Sequence, residues 1–312
     1  MCRLPRMNFV ADSVPGRPSR NSLLFATGQE FVIAVKLNEL QIPTGVRLHY
    51  REAGRGAPLV LLPGWSQTAA MYGDTIETLS SRCRVIAIDH RGHGESEKVD
   101  HGYHLARLAM DLRELILTLD LEKITLLGHS MGAAVIFSYL ELFGTDRLCA
   151  VILDDQPAVL TLGETESQQA RNEAGAIFSF SHLCAVCTSL RGDDAEETTR
   201  RMLIDMLSPR LVASQGDWIL RENMKLPRSS AAALLWDCAL ADWRNLLGQI
   251  GVPALVIGGK SSLVPWESQQ WIAQQIPVAT SRILEESEGG YHFAFLEQPG
   301  IFCALVEEFL AG

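Results

Sequence analysis

The run Ile124-Thr-Leu-Leu-Gly-His-Ser-Met-Gly132 constrains this chain more than any other feature. A short β-type apolar run feeds directly into Gly128-x-Ser130-x-Gly132, and a helix-forming stretch, Ala133 to Phe143, follows at once. Strand, sharp turn and helix in that order form the context in which a G-x-S-x-G serine serves as a nucleophile. The spacing has a steric reason. A serine on so tight a turn takes strained dihedrals that lift its hydroxyl clear of the backbone. Its flanking positions must then be nearly free of side chain for strand and helix to approach. The N-terminus of the helix also presents unpaired N–H groups to developing negative charge.

Around this motif strand and helix signals alternate. Apolar or alternating segments at Phe31–Leu40, Val46–Glu52, Leu59–Leu62, Arg84–Ile88, Ile124–Leu127 and Val151–Leu153 read as six strands. Helical spacing fills Tyr72–Arg82, Leu105–Leu119 and Ala133–Phe143 between them. The rhythm breaks from Val159 to Leu247, where helical stretches predominate: Ser167–Leu190, Ala195–Leu207, Arg210–Asn223 and Ser229–Leu240. Strands return at Val252–Gly258 and Ser281–Leu284, with helices at Trp266–Ile276 and Gly300–Leu310. The pattern predicts an α/β fold, a mainly parallel eight-stranded sheet flanked by helices, with an all-helical cap inserted after the sixth strand. The expected division is a core domain of residues 29–158 and 248–312, a helical cap over 159–247, and a disordered basic tail over 1–28.

Four motifs of this chain resemble, in order, those of the α/β-hydrolase family. Pro63-Gly64-Trp65 is similar to its oxyanion loop, and Asp89-His-Arg-Gly-His-Gly-Glu-Ser96 to its Asp-x-Arg-Gly-x-Gly-x-Ser loop. Gly128–Gly132 matches the elbow, and Glu288-Gly-Gly-Tyr-His292 resembles the loop that bears the catalytic histidine. The resemblance implies Ser130 as nucleophile, His292 as base, and the backbone N–H groups of Trp65 and Met131 as the oxyanion hole. The acid departs from the commoner family pattern. In the loop Gly258-Gly-Lys-Ser-Ser-Leu-Val-Pro265, Ser261 stands where a carboxylate is expected, and a serine cannot balance an imidazolium. Relatives that carry the acid after the sixth strand match Asp154-Asp155 instead. Asp155 fits that position better and is assigned as the acid, with Asp154, which falls on the strand, as the alternative.

Other features define what the chain is expected to bind. A net charge of −10 disfavours nucleic acid and anionic membrane as partners, and no apolar stretch reaches the length of a membrane span. Seven scattered cysteines suit a reducing cytoplasm better than a disulfide framework; Cys184 and Cys187 read as packing residues. His90 and His93 show no third ligand in register, so no metal or other cofactor is expected. His129, beside the nucleophile, reads as packing or hydrogen bonding. Phe178, Phe180, Met202, Met206, Trp218 and Trp236 make the insertion apolar. The expected substrate is therefore a small, largely apolar ester or lactone, cleaved through an acyl-enzyme. Carbon–carbon bond hydrolysis, lyase-type or perhydrolase chemistry, and a non-catalytic ligand receptor are the alternatives on the same fold.

Overall fold

The computed structural model describes residues 34–163 and 165–312. The basic segment 1–28 and the first residues of the strand expected at 31–40 lie outside these residues. Among the described residues eight strands and twelve α-helices follow in chain order: β1 (Lys36–Gln41), β2 (Arg47–Ala53), β3 (Pro58–Leu62), α1 (Gly73–Leu79), β4 (Arg84–Ile88), α2 (Leu105–Thr118), β5 (Ile124–His129), α3 (Met131–Phe143) and β6 (Leu148–Asp154). Six helices come next: α4 (Gln168–Ala174), α5 (Phe180–Ser189), α6 (Ala195–Met206), α7 (Pro209–Asn223), α8 (Arg228–Leu240) and α9 (Arg244–Leu247). The chain ends with β7 (Ala254–Gly259), α10 (Trp266–Gln275), β8 (Ala279–Leu284), α11 (Ala294–Glu297) and α12 (Pro299–Ala311).

The strands form one sheet in the order β1-β2-β4-β3-β5-β6-β7-β8. β2 runs antiparallel to both neighbours, and every other pairing is parallel. Apolar residues on both faces of a strand demand cover on both sides. On β3, Val60 and Leu62 join a core with α2 and α3, while Leu59 and Leu61 join a second core with α1 and α12. The functional consequence is directional. Parallel strands place the loops after β3, β5, β6, β7 and β8 along one edge of the sheet, where sites form in such folds.

Local physics moves two elements from where periodicity alone places them. The helix expected over Ser167–Leu190 is two helices. Gly175 closes the first with a left-handed φ of 83°, and a Cβ there would stand 2.2 Å from Pro157, so the chain turns away. The segment after β6 is also not purely helical. Val159 bridges Asp242, Thr161 bridges Phe178, and Trp243 N–H donates to Ala158 O at 3.0 Å. These contacts bring the two ends of the helical insertion side by side.

Candidate active site

Close approach shapes the elbow. A Cβ on Gly132 would lie 2.0 Å from Leu62 O, and one on Gly128 would lie 2.5 Å from Ala133 N. Only glycine lets α3 start so near β3 and β5. Between them Ser130 takes φ 51° and ψ −126°, a conformation that non-glycine residues rarely adopt. Its N–H donates to Asp154 O at 2.7 Å and holds the turn closed. Unlike His129 and Met131 beside it, Ser130 is only half-buried.

Three expected site residues converge. His292 Nε2 lies 3.1 Å from Ser130 Oγ, and His292 Nδ1 lies 2.7 Å from Asp155 Oδ2. The two adjacent aspartates have opposite fates. Asp154 ends β6 with its side chain in the sheet's core, where neither carboxyl oxygen has a hydrogen-bond partner among the described residues. Burial, with Asp155 nearby, raises its pKa well above the usual carboxylate range. Asp155 has left the strand. Its φ of 53° and an N–H bond to Ile257 O at 2.9 Å turn the carboxylate toward the sheet edge. Ser261, at the commoner acid position, donates its N–H to Gly290 O at 2.8 Å.

Three contacts had no signal in sequence spacing. Ser262 Oγ donates to Asp155 Oδ2 at 2.5 Å, onto the oxygen that faces His292, and accepts from Val264 N–H at 3.1 Å. Gln67 Oε1 accepts from Gly64 N–H at 2.9 Å and faces His129 Nδ1 at 3.0 Å. Glu297, in the helix after His292, accepts from Ser208 N–H at 2.8 Å, Ser208 Oγ at 2.7 Å and Arg210 Nη2 at 3.1 Å. Each joins segments far apart in the chain.

His129 is a hub beneath the site. Its Nε2 lies 2.6 Å from His292 O, and burial, followed by the neighbouring His292, holds its pKa well below the usual imidazole value. A neutral ring thus packs under the loop that carries His292. Trp65 lies in the loop just after β3, and Met131, the first residue of α3 after β5, has an N–H without an intrahelical acceptor.

The Asp89–Ser96 loop is scaffold. Arg91 is 1% exposed and makes a two-pronged pair with Asp111, both bonds at 2.6 Å. Asp89 accepts from Ala69 N–H at 2.7 Å and from Glu95 N–H at 3.0 Å, and faces His49 Nδ1 at 2.9 Å. His90 Nε2 reaches Pro63 O at 3.2 Å, and His93 Nδ1 reaches Arg91 O at 2.9 Å. Burial pushes their pKa values down to about 4 and about 3. Among the described residues no group of three or more His, Cys, Asp or Glu side chains could hold a metal, and no helix is long and apolar enough to cross a membrane. Of the apolar residues of the insertion, Phe178 is buried, whereas Phe180 is 54% exposed and rests edge-on against Trp236 at 5.6 Å. Phe180 is therefore largely exposed to solvent.

A parallel sheet with a reversed second strand, a serine on a strained strand-to-helix turn and a histidine reaching it from beyond the last strand define a hydrolase of the α/β class. The chain belongs to the alpha/beta hydrolase family, whose model matches residues 59–305. It is 29% identical over 270 residues to the soluble epoxide hydrolase of Corynebacterium sp. (strain C12), covering 82% of this chain and 90% of that protein. Its fold is similar to that of a bromoperoxidase from Bacillus anthracis, with a TM-score of 0.80, 22% identity and coverage of 89% and 100%. It is also similar to that of the enol-lactonase from Burkholderia xenovorans LB400, with a TM-score of 0.75, 22% identity and coverage of 88% and 100%.

Proposed function

We propose that the protein is a serine hydrolase that cleaves a small, largely apolar ester or lactone through a Ser130–His292–Asp155 triad. The observation that carries this reading is the unbroken chain from Ser130 Oγ to His292 Nε2 at 3.1 Å and from His292 Nδ1 to Asp155 Oδ2 at 2.7 Å. Ser130 Oγ attacks the substrate carbonyl carbon while His292 Nε2 takes its proton. Asp155 holds the Nδ1 proton and stabilises the imidazolium that forms. The carbonyl oxygen, now an oxyanion, accepts from Trp65 N–H and Met131 N–H, each donor contributing about 3 kcal/mol in comparable sites. The intermediate collapses, and the leaving alkoxide takes the proton from His292. Water, deprotonated by His292, then attacks the acyl-enzyme, and as the second intermediate collapses His292 returns that proton to Ser130 Oγ and the acid leaves. No step draws on a metal or cofactor.

The helical insertion serves as the cap over the substrate, and its apolar composition favours an acyl or ring-bearing group over a sugar. The similarity to an enol-lactonase suits the lactone arm of this reading. The test is a screen of p-nitrophenyl esters of increasing acyl length, with a small lactone panel, on wild type and Ser130→Ala side by side. Turnover that disappears in Ser130→Ala is the expected result, and the chain-length optimum sizes the pocket. Equal turnover in both would overturn the serine mechanism. No turnover and no labelling of Ser130 by a fluorophosphonate would bring the receptor alternative forward.

A further inference from the structure

Four side-chain contacts cross from the α7–α8 region of the insertion to one short segment, Trp65–Thr68. Thr68 Oγ1 donates to Glu222 Oε2 at 2.7 Å. Arg228 Nη2 donates to Ser66 Oγ at 3.3 Å, and the Arg228 guanidinium stands 5.7 Å from the centre of the Trp65 ring. The Trp65 indole Nε1 donates to Ala231 O at 2.7 Å. We propose that the end of α7 and the start of α8 position the Trp65 peptide for oxyanion binding, with Glu222 and Arg228 as positioning residues. The proposal rests on the hydrolase reading above.

The segment needs an external hold. Ser66 has a φ of 59°, a left-handed conformation that a non-glycine residue leaves readily unless its surroundings impose it. Within the core, Gln67 ties only to Gly64 and His129. Met71 N–H also donates to Thr68 O at 3.1 Å, while the side-chain hydrogen bonds of Trp65, Ser66 and Thr68 given above all reach the insertion, which is itself braced. Lys225 bridges Glu95 at 2.8 Å and Glu222 at 3.0 Å. Arg228 donates from Nε to Leu226 O at 3.0 Å, from Nη1 to Thr199 Oγ1 at 3.2 Å, and from Nη2 to the carbonyls of Leu226 and Asn223. Burial lowers its pKa only to about 10, so it stays charged at neutral pH. With its nitrogens committed to Thr199 of α6, to the Asn223 and Leu226 carbonyls and to Ser66, Arg228 acts as a strut. Displacing this part of the insertion would draw the indole and Ser66 with it and move the Trp65 N–H off the oxyanion. Closure of the insertion and assembly of the oxyanion hole thereby become one event.

The test compares Trp65→Phe, Glu222→Ala and Glu222→Gln with wild type on a p-nitrophenyl ester and its thiono analogue. Trp65→Phe keeps the ring and the peptide N–H but loses the indole donor. A thiono sulfur accepts weakly from oxyanion donors, so the oxo-over-thiono preference reads the oxyanion hole directly. The expected result for Trp65→Phe and Glu222→Ala is a fall in kcat of about tenfold, with KM within about twofold and the preference reduced by the same factor. Glu222→Gln, which keeps an oxygen for Thr68, restores most of kcat. A fall in kcat with an unchanged preference, or a change in KM alone, would overturn the proposal and leave the hydrolase reading intact. Absence of Ser130-dependent turnover in wild type would overturn both.

Discussion

Asp154 and Asp155 are neighbours in sequence and opposites in chemistry. Alternation along β6 sends the Asp154 side chain into the core beside Ile152, whereas the left-handed turn at Asp155 releases the next carboxylate toward His292. In the proposed mechanism Asp155→Asn removes the charge that balances the imidazolium. The kcat on a responsive ester should fall by about 10³- to 10⁴-fold. Asp154→Asn should leave kcat within a few-fold, measured alongside it. Its effect belongs to stability. A carboxyl whose folded pKa is raised keeps its proton while the unfolded chain ionises. Its contribution is therefore lost progressively as pH rises above the ordinary carboxylate value. Urea unfolding should show Asp154→Asn gaining on wild type at neutral pH and losing that gain toward about pH 4. Ser262→Ala removes a donor from the oxygen that Asp155 shares with His292. We expect kcat to fall by about tenfold with KM nearly unchanged, because the carboxylate that orients His292 loses a fixed donor.

At the scale of elements, strand and helix were legible wherever apolar period and length agreed. β3 through β6 and α2 and α3 lie within a few residues of their expected places. The elbow was legible for a stronger reason, since two glycines spaced around a serine answer to a contact that excludes any Cβ. Gly132→Ala should prevent α3 from seating against β3. Soluble expression should fall sharply, and any soluble fraction should lack turnover and near-ultraviolet tertiary signal. The insertion was legible only as a run of helices. Periodicity cannot see that Gly175 ends α4, nor that Val159 and Asp242 meet at the base.

For the molecule as a whole, buried histidines set the response to acid. His90 and His93 stay neutral in the folded chain down to about 4 and about 3, while in the unfolded chain they protonate below about 6.5. Because the folded pKa values are depressed, the stability they confer is full above about pH 6.5 and is lost as pH falls toward 4. For His90 alone that loss is about 3 kcal/mol. Urea midpoints measured from pH 7 to pH 4.5 should fall steeply in wild type and less steeply in His90→Gln. A flat wild-type profile would contradict the assignment.

The sequence by itself determined the order of strands and helices and the serine turn, because these follow from local period and from steric demands within a few residues. The resemblance of its motifs to those of the family pointed to the loop bearing His292. It also narrowed the acid to two adjacent carboxylates. Only the tertiary structure decided which of the two meets His292, that Ser262 braces it, and that α7 and α8 grip the Trp65 loop. Those contacts join positions from about 100 to more than 160 residues apart. Side-chain direction at such separations depends on how strands register and turn in the folded sheet, which no local pattern encodes.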